Sequence, residues 1–493
     1  MKSNLSIFLV FIFLSGSRAD VAKCPTSPFD PPQNLAQTIE YPMDSSRNYP
    51  ANYDCTYQIN VPRGYSAYVV LNAIPANNIT GAPIVQFVDF NQRVENVAFA
   101  RNERFWLVSP GAKIKLSTQT TTVSFHFSVQ WYSNITSLSY SFANVSTLDT
   151  QPTVQNDAFY QITQVTASTR VSILAMPPIG DYYQQESYLT RLRSVLIFDG
   201  PNENSTCLGT AYQLLKGTRQ YVSTGSTIIV VPMQPLVYAI NTQLIFQDYE
   251  NTKEIVEYRG IGCLGACDPI VMDGTKAASA FSTYTAYGFA QECLLGVSGT
   301  GMLDVYYGGK TESKSNLIAS YNVSNMPPNV LPQLLRGVVR TYVLTGGVAT
   351  VDISFNGNGC TFLRNDAQGF VTSREYKTNL TLPYSDDRIY YVSDGLFNYT
   401  FDIQDVDLSQ NKSLQLIIQN NRTNVLNVVY NSTNLPTLKT VISGVGDFVD
   451  IMYYAKYDAK KGGYYIGYKA SRVKIASTHS YYLLIFIVLG LVF

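Results

Sequence analysis

The sequence predicts an all-β chain of tandem β-sandwich units of jelly-roll type, and three observations carry that prediction. Strand-forming side chains dominate: 37 Tyr stand beside abundant Val and Thr, residues that suit a pleated, half-buried surface. Apolar and polar residues alternate over short segments, and no stretch outside the termini keeps helical periodicity. Segments of about a hundred residues echo one another, which is the usual length of a sandwich domain.

The elements follow in order. Residues 1–19 read as a secretory signal peptide: Lys2, an apolar run from Ile7 to Leu14, then Ser17-Arg18-Ala19 with small residues at the cleavage positions. That run is too short for a membrane span, which needs roughly twenty apolar residues. A first unit is expected over 20–135, closing on Val123, Phe125, Phe127 and Val129 in alternation with polar residues. A second spans 140–255, a third β-rich unit 260–357 and a fourth 358–470. The third opens on Gly260-Ile261-Gly262-Cys263 and the fourth on Gly357-Asn358-Gly359-Cys360. Asp54-Cys55-Thr56-Tyr57-Gln58-Ile59 is echoed by Asp157-Ala158-Phe159-Tyr160-Gln161-Ile162, where Ala158 replaces the cysteine. Val195 to Pro201 and Leu303 to Gly309 share a second pattern, a β-branched run ending in a Gly turn. Residues 471–493 end in an apolar tail, Tyr481 to Phe493, with Arg472 and Lys474 before it and nothing polar after it. That order suits a GPI-attachment signal, with Ala476, Ser477 and Ser471 as candidate attachment residues. A membrane-spanning helix and a buried C-terminal strand are the alternatives.

Composition narrows the function classes. There are 35 basic and 35 acidic residues, so no basic stripe points to nucleic acid. Charged residues make up 14% against roughly 25% in ordinary soluble domains. Glycans would supply the missing polarity. Asn78, Asn134, Asn144, Asn204, Asn322, Asn379, Asn398, Asn411, Asn421 and Asn431 are all N-x-Ser/Thr acceptors. Seven cysteines in a secreted chain read as disulfides, and the odd count leaves at least one outside intrachain bridges. Cys263 and Cys267 have C-x3-C spacing, but no His lies near to complete a zinc site.

Catalytic chemistry has little to draw on. The two histidines are His126, on the polar face of a strand and expected to be exposed, and His479 in the tail. No G-x-S-x-G elbow accompanies either. Asp386-Asp387 and Asp402 with Asp405 are the carboxylate pairs a glycosidase could use, and both read as solvated turn residues. Gly308-Gly309-Lys310-Thr311 imitates the end of a phosphate loop but follows a strand and reads as a hairpin turn. Tyr182-Tyr183, Tyr390-Tyr391, Tyr453-Tyr454 and Tyr464-Tyr465 could serve sugar or protein binding, with one of each pair pointing inward in a strand.

Tyr49-Pro50, then Cys55-Thr56-Tyr57-Gln58-Ile59, Pro62-Arg63-Gly64 and an apolar strand resemble the opening of a CUB domain. Leu196 to Pro201 resembles the CUB strand that ends in Asp-Gly. The nearer resemblance is to nematode CUB-like proteins, whose members are secreted and often end in an apolar tail. The fold is then expected to be tandem CUB-like β-sandwiches. The resemblance implies a Cys24–Cys55 bridge, and similar spacing implies Cys267–Cys293. It implies no established catalysis and no cofactor. It also implies innate immune defence and membrane rafts at the extracellular face of the plasma membrane. Many CUB domains hold calcium through acidic side chains. Here Arg193 replaces the first Asp of the second unit, although Asp199 stands at the other, and Gly301 and Tyr307 occupy both positions in the third. In the first unit Asp89 is a lone candidate ligand.

The chain is therefore expected to be a non-catalytic cell-surface glycoprotein, anchored at its C-terminus, that binds a protein or carbohydrate ligand. A structural surface coat without a specific ligand is one alternative. An extracellular hydrolase is the other, and it would require an acidic cleft.

Overall fold

A computed structural model describes residues 23–43, 48–77, 83–97, 99–133, 138–155, 161–177, 185–233, 243–263, 265–285, 291–355, 357–374, 376–377, 385–408, 411–455 and 463–474. The expected signal peptide, the apolar tail with Ala476, Ser477 and His479, the sequons Asn78, Asn134 and Asn379, and Tyr182-Tyr183 lie outside them. Contacts divide the chain into two compact bodies, Met1–Thr136 and Ser137–Phe493.

The first body holds β1 (Ile39–Tyr41), β2 (Asn48–Tyr49), β3 (Asp54–Asn60), β4 (Tyr65–Pro75), β5 (Val85–Asp89), β6 (Val94–Val97), β7 (Ala100–Val108), β8 (Gly111–Ser117) and β9 (Val123–Ser133). One sheet runs β1-β9-β4-β7, with β2 also pairing β9, and the other runs β3-β8-β5-β6. In β9 the alternation read from sequence is the observed one. Val123, Phe125, Phe127, Val129 and Trp131 are buried and the residues between them are not. Cys55, Tyr57 and Ile59 face the same core from β3. The buried Trp131 indole donates to the Asn60 carbonyl at 2.9 Å, so its one polar atom is satisfied. Cys24 bridges Cys55 with a Cα–Cα distance of 5.6 Å. Changing Cys55 to Ser is expected to cost about 2–5 kcal/mol and to lower secretion. Unchanged secretion and melting temperature would count against the bridge.

The second body opens with β10 (Tyr140–Val145), β11 (Thr153–Gln155), β12 (Ile162–Ala167), β13 (Val171–Met176), β14 (Val195–Asp199), β15 (Thr206–Thr210), β16 (Tyr221–Val222), β17 (Thr227–Pro232) and β18 (Gln243–Asp248). There follow β19 (Ile255–Ile261), β20 (Ile270–Asp273), β21 (Ala278–Tyr284), β22 (Gln291–Gly299), β23 (Met302–Tyr307), β24 (Leu317–Asn322), β25 (Gln333–Arg336), β26 (Val339–Thr345) and β27 (Val348–Ser354). The second unit's sheets run β10-β12-β17-β14-β15 and β11-β18-β13-β16. Those of the third run β19-β21-β26-β23-β24 and β20-β27-β22-β25. Every strand number has risen by nine, so the two units share one topology. Counting back nine from the second unit recovers the pairings β3-β8-β5-β6 and β2-β9-β4-β7 of the first body. One strand differs. β10 lies parallel to β12 and β19 parallel to β21, whereas β1 pairs β9 and only Phe29 bridges Ile59 in parallel. Three units thus repeat one sandwich.

The second and third units are not separate beads. Leu174, Met176 and Ile245 share a buried cluster with Tyr258, Ala280 and Val343. β13 is consequently buried at all six residues, because one face packs inside its own sandwich and the other against the next. The Gly308-Gly309 turn lies at this junction: the Gly309 N–H donates to the Thr150 carbonyl at 3.0 Å. A side chain on Gly308, whose φ is +79°, would strike that same carbonyl. The turn docks two units.

The fourth unit departs from the pattern. It comprises β28 (Ala367–Thr372), β29 (Ser385–Val406), β30 (Lys412–Asn420), β31 (Thr423–Asn431), β32 (Val441–Ala455) and β33 (Tyr464–Arg472) in one sheet ordered β28-β33-β29-β32-β30-β31. The register of β29 against β32 breaks between Val392 and Phe397. Before the break β29 pairs only β32; after it β29 also pairs β33. Ile389, Leu414 and Ile418 from one half share a core with Phe397, Phe401 and Ile466 from the other. The long sheet has folded onto itself, as bulged strands permit.

The disulfides correct one expectation. Cys267 does not pair with Cys293. Cys263 pairs with Cys267 across a turn after β19, with Cα atoms 5.4 Å apart, and Cys293 pairs with Cys360 at 5.7 Å. The strand equivalent to the one bearing Cys55 is β21, and Cys293 lies one strand later, on β22. It therefore faces the segment entering the fourth unit. Cys207 is buried on β15.

Candidate ligand groove

Most residues singled out from sequence have structural partners. Asp387 is not in a turn. It is buried on β29, where its carboxylate accepts from the Arg336 guanidinium and, at 2.8 Å, from the Arg374 backbone N–H. Arg336 belongs to β25, so this ion pair joins the third and fourth units. Asp405 accepts from the Tyr376 hydroxyl at 2.9 Å. Asp89 shapes the turn between β5 and β6, accepting from the Arg93 backbone N–H at 3.0 Å and its guanidinium at 2.8 Å. Arg193 is buried over the Tyr212 ring, 4.9 Å from its centre. Asp199 accepts from the Thr224 N–H at 2.8 Å. Among the described residues no cluster of three or more His, Cys, Asp or Glu could hold a metal ion. His126 is half-buried rather than exposed, 3.8 Å from Glu40, because β1 lies beside its strand.

Two of the tyrosine pairs split as strand alternation requires. Tyr391 and Tyr453 are buried while Tyr390 and Tyr454 are exposed. Tyr464 is also buried, and Tyr465 is half-buried over a groove. The first body has an aromatic surface of its own. Trp106 lies tilted against Tyr68 and Tyr132, with ring centres 4.8 and 5.9 Å away, on the face of its sheet that points away from the core.

The groove, of about 680 Å³, lies between the third and fourth units. Its floor is the outer face of β28, β33 and the second half of β29. Thr400 pairs Lys469, Asp402 pairs Gly467, and Phe370 pairs Gly467 from the other side. Strand alternation points all of these the same way. Gly467 supplies no side chain, so the floor is open where it crosses Asp402. Its wall is β24, at the edge of its own sheet, with Pro327 and Val330 beyond it.

The other sheet edge, β28, is closed by a side chain. The Gln333 amide oxygen accepts from the Phe370 N–H at 3.1 Å, and its Nε2 donates to the Phe370 carbonyl at 2.7 Å. One buried amide thus takes the place of a neighbouring strand at Phe370, and beside it the Gln368 N–H donates to the Asn329 carbonyl at 3.0 Å, so these edge groups are not left bare. Gly369 makes room for it, since a Cβ there would lie 2.4 Å from the Gln333 oxygen.

The groove's chemistry is mixed. Asp402 Oδ2 accepts from Gln404 Nε2 at 3.2 Å, while its Oδ1 is enclosed and has no hydrogen-bond partner. Tyr465 stacks on Phe370 at 5.1 Å. Burial pushes the Tyr465 phenol up to about 12, with Tyr307 adding to the shift. Burial also raises Tyr468 and Tyr321. These phenols therefore stay protonated near neutral pH and can donate. Among the described lining residues Asp402 is the one carboxylate and Lys469 the one ammonium. Asn322 and Asn398 flank the groove, each exposed two residues from the lining residues Ser320 and Thr400, which is roughly 7 Å along a strand. Nothing in the sequence marked this site. Only Asp402 and the Tyr464-Tyr465 pair had been singled out.

Other sequons are also accessible. Asn144, Asn204, Asn411 and Asn421 are exposed, and Asn431 is half-buried with its oxygen capping the following turn. Ser471 lies within β33, paired to Asn398. No helix among the described residues is long and apolar enough to cross a membrane.

Comparisons with known proteins bear on the repeat. Residues 19–134 match a family model described as CUB-like domain. Residues 144–233 and 250–356 match two models described as domains of unknown function (DUF7592 and DUF7591). No curated protein matches the chain. Among solved structures, the CUB1-EGF-CUB2 domain of human MASP-1/3 is similar at 9% identity, covering 41% of this chain and 99% of that one, with a TM-score of 0.16. The corresponding rat MASP-1 domains give 8% identity, 41% and 92% coverage and a TM-score of 0.15. A triple jelly roll protein of an archaeal virus gives 9%, 65% and 81%, and 0.13. The family match and the three disulfides fit an oxidising, extracellular setting. The CUB-like match thus covers the first sandwich, residues 19–134, and the two sandwiches that follow share its strand order in all but the first strand.

Proposed function

We propose that this chain is a non-catalytic glycoprotein of the outer cell surface, taking part in innate immune defence or surface recognition, and that it engages its ligand through the groove of the second body. The carrying observation is that groove. It combines stacked aromatics with one carboxylate among the described lining residues, that of Asp402, whose enclosed Oδ1 has no hydrogen-bond partner. Glycosidic hydrolysis generally uses two acids flanking the bond, and Asp405, paired to Tyr376, is not among the lining residues. Anchoring by GPI in membrane rafts belongs to the same reading. It favours Ala476 or Ser477 over Ser471, because cleavage after Ser471 would remove Arg472 from a paired strand.

Two measurements test this. Phospholipase C treatment of intact cells expressing the full chain is expected to release it into the medium, with a known GPI protein released in parallel. Retention, with inositol acylation excluded, would overturn the anchor. Binding of the purified ectodomain to microbial or host cell surfaces is expected to saturate. Binding that never saturates would favour the second reading, a glycan-rich coat, which the exposed sequons Asn398, Asn411 and Asn421 of the fourth unit also suit.

A further inference from the structure

We infer that the groove is a binding site for a neutral carbohydrate, an inference that rests on the recognition reading and names its ligand class. Asp402 Oδ1 is an enclosed acceptor with no donor, and a buried oxygen without a partner costs free energy until a ligand supplies one. Asp402 lines the groove, so a ligand seated there supplies that donor once the carboxylate turns toward it. An ammonium ligand would supply one but would meet Lys469 on the same face, and an anion would meet Asp402. With one charge of each sign the lining favours neither. A neutral hydroxyl suits both: it donates to the carboxylate and accepts from Lys469 or a protonated phenol.

The shape agrees. Tyr465, stacked on Phe370, offers an aromatic body with a polar tip. Gly467 leaves space beside Asp402, and Gln404 and Gln368 add amides at the rim. Hydrogen bonds to an ionised carboxylate are shorter and stronger than neutral ones, so a small set of groups can orient a sugar ring.

Two substitutions probe the groove without touching a core. In Asp402→Asn, the Gln404 donor holds the amide oxygen at the Oδ2 position and turns the NH2 toward the groove, replacing an acceptor by a donor. In Gly467→Ala, the added Cβ would lie 3.1 Å from the flexible end of Gln404 and 3.8 Å from the Asp402 carbonyl, so the strand accommodates it while the floor fills. The experiment is calorimetric titration of the glycosylated ectodomain with neutral oligosaccharides built on glucose, mannose, galactose and N-acetylglucosamine. Uronic acid oligomers and amino-sugar oligomers serve as charged comparisons. Saturable binding by a neutral sugar is expected, weakened about tenfold or more by each substitution, with melting temperatures unchanged. Binding by charged oligomers alone, no binding at all, or equal affinity in both variants would overturn the assignment. If both variants also keep saturable binding to cell surfaces, the recognition reading stands and only the groove assignment falls.

Discussion

Replacing Asp387 by Ala is expected to destabilise the second body by about 3–5 kcal/mol, the usual cost of leaving one partner of a buried ion pair alone. Arg336 and Asp387 are 2% and 3% exposed. Without the carboxylate, the guanidinium keeps only a 3.4 Å contact to Gln291 Oε1, and the Arg374 N–H loses its acceptor. The effect should reach both units, because the pair ties β25 to β29. A fall in denaturation midpoint and in secreted yield would be measured on the purified ectodomain. Lys216→Ala provides the contrast: its bridge to Glu186 is about half exposed, so its loss should cost under about 1 kcal/mol. The double variant Arg336→Met with Asp387→Leu should recover the part of the loss that comes from the buried Arg336 charge, since an apolar pair needs no counter-charge, while the Arg374 N–H and its guanidinium, 3.5 Å from Asp387, lose that carboxylate in both variants. A wild-type midpoint for Asp387→Ala, or a double variant no better than the single, would sink the argument.

The sequence reading and the structure agree where one strand has one wet face. β3 and β9 alternate cleanly, so Cys55, Tyr57, Ile59, Phe125 and Phe127 were legible as core. They part where an element is buried on both sides. Val171 to Met176 reads as an apolar run broken only at Ser172, which says that it is covered but not by what. The kinship of the third unit was legible only in part: the echo of Val195 to Pro201 in Leu303 to Gly309 falls on the equivalent strands β14 and β23, but the rest of the unit carries no such mark. Its topology is set by backbone pairing, and its cysteines serve other bridges than Cys24–Cys55. The short helix Ala211–Lys216 is too brief for periodicity, yet Thr210 and Gln213 cap each other reciprocally, a signal that T-x-x-Q spacing carried. The fate of Asp387 could not be read, because its partner lies 51 residues away and nothing local marks it as buried. The groove was illegible for the same reason. Ser320, Phe370, Asp402 and Tyr465 come from four segments that only the folded chain brings together.

The bridge between the third and fourth units should be the most stabilising of the three. Cys293 and Cys360 are separated by 67 residues, against 31 for Cys24–Cys55 and 4 for Cys263–Cys267. In the chain-entropy picture, closing longer loops removes more freedom from the unfolded state, giving about 4 kcal/mol for the longest and about 2 for the shortest. Burial adds to the difference: Cys293 and Cys360 sit in the fourth unit's core, whereas Cys263 is only half-buried in a turn. Cys293→Ala with Cys360→Ala is therefore expected to lower the denaturation midpoint clearly more than Cys263→Ala with Cys267→Ala. Paired alanines avoid a stray thiol and a buried hydroxyl, so the comparison isolates the cross-link. Equal losses would mean that the unfolded second body is already compact enough near this junction for the long loop to gain little from closure. A larger loss from the short bridge would show instead that the turn after β19 holds the start of the third unit in place.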